Sequence, residues 1–360
     1  MRILSRQFLS TTWSYLNRNP QLSLSAKTIR LCSSVPIHSI EKKVNSFGKL
    51  VIDLPYNVEI KPTDPHEYPD MDTVLVKLFS KQVIDKKDDL IVVDISNPTT
   101  IKAVENDYIG DIKCVIQVPV SYDVDAKTAG EGNVFISGLI SNSINVQTEY
   151  GNIVGAKLQG ENIILSSSEG GSITLQNGVQ GNIEINTAGD GTVTTEKCLG
   201  NKLDISTENG DINLGSNYCE KATFSTVNGN MYLNNLHLNT SVDIDGTGSL
   251  NISCLDGSLQ ANLHEGPAKI QIVRLTGDSE IISQGHVNLT VPEDNDAKLI
   301  LKASKLDIDD RINGVYSDDN KEFISENNRN VFKVETSQSI QVAPSNWMES
   351  LDLKRSVKKH

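Results

Sequence analysis

Carboxylates recur through the middle of this chain in positions that could serve chemistry: Asp204, Asp211, Asp243, Asp245 and Asp256. On a stacked-coil enzyme that cleaves polysaccharides, acids on neighbouring coils act as the acid and base pair. Asp243 and Asp245 are two apart and share a face if that stretch is extended. Neither a basic companion nor an aromatic sugar platform stands nearby in sequence, so solvated acids are favoured over a catalytic pair. Asp307, Asp309 and Asp310 could gather a cation, but the GGxGxDxUx nonapeptide and the EF-hand loop are both missing, and a charged loop closing the repeat region is favoured. His237, His264 and His286 lie 27 and 22 residues apart, without metal-ligand spacing. His237 precedes Ser241 by four residues with no Gly-x-Ser-x-Gly elbow to support a nucleophile. A P-loop and a GxGxxG opening a helix are also missing. The sequence therefore assigns no catalytic, cofactor-binding or metal-ligating residue, and implies no cofactor.

The elements that must carry these residues are set by glycine. Gly132, Gly151, Gly171, Gly191, Gly210, Gly229, Gly248, Gly266 and Gly285 are separated by 19, 20, 20, 19, 19, 19, 18 and 19 residues. That period is too regular for ordinary turns and too short for a helical repeat, so it predicts a stack of coils. The units superimpose: Ile144 to Ile153 aligns with Leu203 to Ile212 and with Ala222 to Met231, each with a Thr, a two-residue polar turn, the Gly and a small polar residue. Gly and Asn suit corners, through positive φ or close backbone approach. Stacked about 4.8 Å apart, equivalent residues would form ladders. The aliphatic ladder includes Ile153, Ile173, Val193, Ile212, Met231 and Leu250. A polar ladder follows the glycines through Asn133, Asn152, Ser172, Thr192, Asp211, Asn230 and Ser249. The short gap between Gly248 and Gly266, with Pro267 after it, marks the coil pair where a specialised feature is expected first.

The predicted fold class is all-β: a single-stranded parallel β-helix, or β-solenoid, with coils of 18–20 residues and a β-rich cap before them. Residues 45–126 read as short β-branched strands forming that cap, 127–310 as the solenoid repeats, 311–345 as C-terminal capping strands and 346–360 as a tail. Residues 1–32 have the composition of a mitochondrial targeting presequence: Arg2, Arg6, Arg18, Lys27 and Arg30, many Ser and Thr, and no acid before Glu41. Arg30 stands three residues before a cut that would follow Cys32. Taking those five cations from the formal charge of −13 leaves −18, a poor match to nucleic acid. No run of eighteen apolar residues occurs, so a transmembrane segment is not expected. Five scattered cysteines without a CxxC pair fit reduced, small buried side chains, with Cys198 and Cys219 about one coil apart. Sequons at Asn239, Asn251 and Asn288 matter only if the chain is exported.

The join from Val118-Pro119-Val120 through Ala126-Lys127-Thr128 into Gly132-Asn133-Val134, followed by Thr-x-x-Gly-x-Ile coils, resembles the largely uncharacterised adhesin-type β-solenoid domain family. With the presequence in front, the chain looks like an animal mitochondrial branch of it. The resemblance spans roughly residues 45–310, implies a β-solenoid and brings no activity, substrate or catalytic residue. Three readings follow: a non-catalytic scaffold or protein-interaction module of the mitochondrial matrix, which is favoured; a β-helix hydrolase or lyase acting on a carbohydrate polymer; and an extracellular adhesin. A protein partner is expected without being identified, and oligomeric state is left open.

Overall fold

The computed structural model describes residues 36–80, 90–104, 112–326 and 329–345; residues 1–32, expected to be a presequence, and the expected tail 346–360 lie outside them. Every regular element among the described residues is a strand, and all twenty-six join one hydrogen-bonded network. The fold is the parallel β-solenoid that the glycine period predicts. Each central coil is one long bent strand followed by a turn. Ile153–Ser167 pairs in parallel with Ile173–Thr187, then Val193–Thr207, then Ile212–Thr226. A coil runs along a first arm, bends, returns along a second arm and turns at the conserved-phase glycine, giving the solenoid a bend edge and a turn edge.

Alternation of side chains explains why these sequences form arms. In Ile153–Ser167 the inward positions Ile153, Leu158, Ile163 and Leu165 are buried, while polar residues between them face water. On the first arm Val134, Ile153, Ile173, Val193, Ile212, Met231, Leu250, Ala268 and Val287 stand in direct register. On the second, Val146, Leu165, Ile185, Ile205, Phe224, Val242 and Ala261 do the same. Each fully buried side chain of this kind contributes about 1.5–3 kcal/mol relative to exposure.

The turn edge is built by three devices. Thr148 and Thr207 donate their hydroxyls to the carbonyls of Gly151 and Gly210, which closes each turn and accounts for the Thr-x-x-Gly signature, and Thr187 does the same to Gly191 across a turn one residue longer. The polar ladder forms as expected: Asn133 Oδ1 accepts from the backbone and side chain of Asn152, and Asp211 does so from Asn230. The glycines themselves are needed for close approach and not for positive φ. A Cβ on Gly229 would lie well under 3.0 Å from the Gly210 carbonyl, and the same clash repeats at Gly210 and Gly248.

At both ends the winding leaves chain order. The Lys49–Leu54 and Asn57–Pro62 strands lie between the Thr99–Ala103, Ile112–Val118 rung and the Asp123–Thr128, Val134–Ser137 rung. At the far end Val331–Thr336 and Ser339–Ser345 lie between Ser279–Ser283, Val287–Pro292 and Lys298–Lys302, Lys305–Ile308. Antiparallel strands then cover the outermost rungs: Thr73–Ser80 and Ile91–Asp94 at one end, Glu322–Ser325 and Gly314–Tyr316 at the other. Strands from 45–126 and from 331–345 are thus rungs of the stack as well as closures of it.

Candidate interaction site

The bend edge carries a column of side chains from five consecutive coils. Tyr218, His237, Asp256 and Arg274 each lie eight residues after their coil glycine, Gly210, Gly229, Gly248 and Gly266. Parallel register stacks them, pairing His237 with Asp256 and Asp256 with Arg274. The Tyr218 and His237 rings stack at 4.7 Å and 14°. On the other side of Tyr218, from the preceding coil, Lys197 Nζ sits 5.4 Å from the ring centroid. His237 Nδ1 lies 3.3 Å from Asp256 Oδ2, and Arg274 grips the same carboxylate with two hydrogen bonds of 2.7 and 3.1 Å.

Three apolar side chains are exposed along this column: Tyr218 at 47 %, Leu238 at 45 % and Val273 at 47 %. Two local irregularities turn Leu238 and Val273 outward. Leu238 has φ 64°, a left-handed conformation that costs a branched residue energy and swings it out of the strand alternation. Val273 sits where the shortened coil loses register, between the Ile252 to Ile270 and Asp256 to Arg274 pairs. The one-residue contraction between Gly248 and Gly266 falls in the turn and not at the bend, since Ile244 still pairs with Leu263 nineteen residues on while Leu250 pairs with Ala268 eighteen on, and Gly266 still stacks on Gly248.

Chemically the column is saturated. Tyr218 is covered on both faces, so it offers no platform to a sugar ring. Arg274 holds Asp256 through two hydrogen bonds and His237 lies against the same carboxylate, an arrangement that fixes these side chains in place. Charge is unevenly distributed: the turns carry Glu131, Glu149, Glu169, Asp190, Glu208, Asp211, Asp245 and Glu265 with no Lys or Arg among them, whereas the bends mix Lys157, Lys197, Lys202, Lys221 and Arg274 with Glu161, Glu196, Glu220, Asp256 and Asp278.

The other acids singled out from sequence are dispersed. Asp204 pairs with Lys202, and Asp211 belongs to the polar ladder. Asp243 accepts a 3.0 Å bond from Asn262 on the second-arm face, but Asp245 lies beyond the end of Leu236–Ile244, in the turn, so the two do not share a strand face. A shallow groove of about 290 Å³ includes Asp243 and Glu280. No aromatic residue lines it, and Lys333 pairs with Glu280. Asp309 is gripped by Arg311, whose hydrogen bonds hold its carboxyl down at about 2, and Asp307 accepts from Gln341. No cluster of three or more metal-ligating side chains occurs among the described residues. Ser241 is on the second-arm face, apart from His237 at the bend. His286 Nδ1 meets Ser339 Oγ at 2.8 Å.

Cys198 and Cys219 are buried in adjacent coils but offset by two positions, since Cys198 pairs with Asn217 and Cys219 with Gly200. Burial pushes their thiols up to about 12 and about 11, and that of Cys114 to about 12, so all three stay protonated and inert. The bend column is not visible from the spacing of like residues, because it joins five different residue types on successive coils. The shared offset of eight residues from successive glycines was the available signal.

These features define a β-solenoid with a rigid column of stacked side chains along its bend edge. The chain belongs to the Toastrack DUF4097 family, matched over residues 47–343. Among solved structures it is similar to a putative adhesin from Parabacteroides merdae at 11 % identity and TM-score 0.36, over 86 % of this chain and 96 % of that one. It is also similar to a putative lipid binding protein from Parabacteroides distasonis at 12 % identity and TM-score 0.36, over 85 % and 96 % of the two chains. No helix among the described residues is long and apolar enough to cross a membrane.

Proposed function

We propose that this protein is a non-catalytic interaction module of the mitochondrial matrix, in an animal mitochondrial branch of its family, and that it docks a protein partner on the bend edge. The carrying observation is the Tyr218, His237, Asp256, Arg274 column with Leu238 and Val273 exposed beside it. Tyr and Arg are the residue types that dominate binding energy at protein interfaces, and here they are held rigid by stacking and by a two-point ion pair. Preorganisation of this kind lowers the ordering cost of association. Import is supported by the acid-free, Arg-bearing leader of residues 1–32.

Proximity labelling in mitochondria, comparing the full chain with Tyr218→Ala and Arg274→Ala, tests the docking reading. The expected result is one or more partners labelled by the wild type and reduced at least tenfold by either variant. Equal labelling by all three chains would remove the bend edge as the site. Mass spectrometry of the mature amino terminus tests the compartment: a start at Ser33 is expected. A glycan on Asn288, whose strand presents it outward on the first arm, would instead favour an exported adhesin.

A further inference from the structure

Four Asn-Gly pairs occur in the chain, at Asn177-Gly178, Asn209-Gly210, Asn228-Gly229 and Asn313-Gly314. A glycine nitrogen that follows asparagine is the amide least shielded from reaction with the preceding side chain, because no Cβ stands over it. Whether it reacts depends on how firmly the fold holds both groups. Three of the pairs are held. Asn228 donates its side-chain amide to Asn209 Oδ1 at 3.0 Å, and the Gly229 nitrogen donates to Thr226 Oγ1 at 2.9 Å. The Asn209 nitrogen donates to the Gly189 carbonyl at 2.9 Å, and Gly210 is buried against the Gly191 carbonyl. Gly314 is paired with Ser325 across the strand and lies against the Phe323 ring.

Asn177-Gly178 is built differently. Gln176, Asn177 and Gly178 span the interval between Leu175 and Val179 that only Glu196 and Lys197 span on the next coil, so the pair is a bulge. Toward the preceding coil Gln176 pairs with Ala156 and Val179 with Leu158, so neither Asn177 nor Gly178 has a ladder partner on either side. Both have positive φ, 57° and 79°, as in tight Asn-Gly turns. Asn177 is exposed, its backbone nitrogen donates to Glu196 Oε2 at 2.7 Å, and its side-chain amide has no hydrogen-bond partner among the described residues. A Cβ on Gly178 would meet nothing within 4 Å.

We propose that Asn177 is a self-modification site, at which the chain converts its own side-chain amide to a carboxylate. The Gly178 nitrogen attacks Asn177 Cγ and loses its proton. The N–Cγ bond forms, the Cγ–Nδ2 bond breaks and ammonia leaves carrying that proton, which gives a succinimide. Water then opens the ring at either carbonyl, giving aspartate or isoaspartate at position 177. A bulge without ladder partners can turn its backbone to close the five-membered ring, whereas a residue paired to both neighbouring coils must first break ladder bonds. The new carboxylate stands opposite Glu196 and Lys197 of the next coil. Lys197 is the cation over the Tyr218 ring, so the charge change falls at the foot of the bend column.

Peptide mapping by mass spectrometry of the full chain, aged in mildly alkaline buffer, tests this, with a digest of Asn177→Asp as the marker for the aspartate product. The expected result is conversion at Asn177 at least about tenfold faster than at Asn209, Asn228 or Asn313, with both aspartate and isoaspartate recovered. Ageing in guanidinium chloride is expected to bring the four rates together, since the fold is what separates them. No conversion at Asn177, or conversion at any of the other three as fast as there, overturns the inference. So does a spread of rates that persists in guanidinium chloride, because local sequence alone would then set it.

Discussion

Leu238 shows what single residues contribute to this surface. Its left-handed φ costs about 1–2 kcal/mol, and its half-exposed side chain recovers little by burial, so strain is retained beside His237 in the middle of the column. Leu238→Gly is expected to unfold in urea with a free energy within about 1 kcal/mol of wild type or above it, unlike the 2–5 kcal/mol loss of a core leucine truncation, while partner labelling drops. A core-like loss would show that Leu238 serves packing. Glu59 carries a different residue-scale consequence. Burial raises its pKa, but hydrogen bonds from Lys113 and Lys61 outweigh that and hold it below the ordinary value near 4.5. A folded-state pKa that is lowered gives stability that is fully present above the unfolded value and lost as pH falls through the lowered one. Urea midpoints measured from pH 7 to pH 3 should therefore fall on the acid side of about pH 4.5. Glu59→Gln should be less stable than wild type at pH 7 and show a shallower acid limb.

At the scale of the coil, glycine has two separable duties. Gly229 faces the Gly210 carbonyl with no space for a Cβ, whereas Gly178 has φ 79° and open space around it. Gly178→Ala is expected to cost about 1 kcal/mol from backbone strain alone. Gly229→Ala must push one coil away from the next, breaking ladder bonds on both sides, and is expected to cost more than about 4 kcal/mol or to prevent folding. Equilibrium denaturation of the two variants distinguishes these causes. The arms were legible in the sequence because strict alternation and a fixed period reveal which side chains share an interior. Ile153, Ile173 and Val193 fall where the period places them, and the Asn133 and Asn152 bonds follow from the same phase. The bend was less legible. Register slips between Gln180 and Ile183 and around Leu255 interrupt alternation there, so which bend residues face outward depends on local geometry.

Across the whole molecule, the rungs nearest the chain termini are enclosed by neighbours on both sides, so they are not expected to fray. In hydrogen exchange, amides of Val331–Thr336 and Lys49–Leu54 should open as rarely as those of the central coils, and Gly314–Tyr316 should be among the fastest strands. Rapid exchange at Val331–Thr336 would show that the enclosed rung detaches independently. This enclosure was not legible in residues 45–126 or 311–345, because short β-branched runs declare themselves strands without declaring their neighbours. By itself the sequence determined the coil period, the interior ladder and the turn chemistry, since all of these are local or repeat at constant separation. The tertiary structure decided which rung lies between which at the two ends, and that Lys197, Tyr218, His237, Asp256 and Arg274 touch. Those contacts arise from stacking at about 4.8 Å, which makes neighbours of residues some nineteen positions apart.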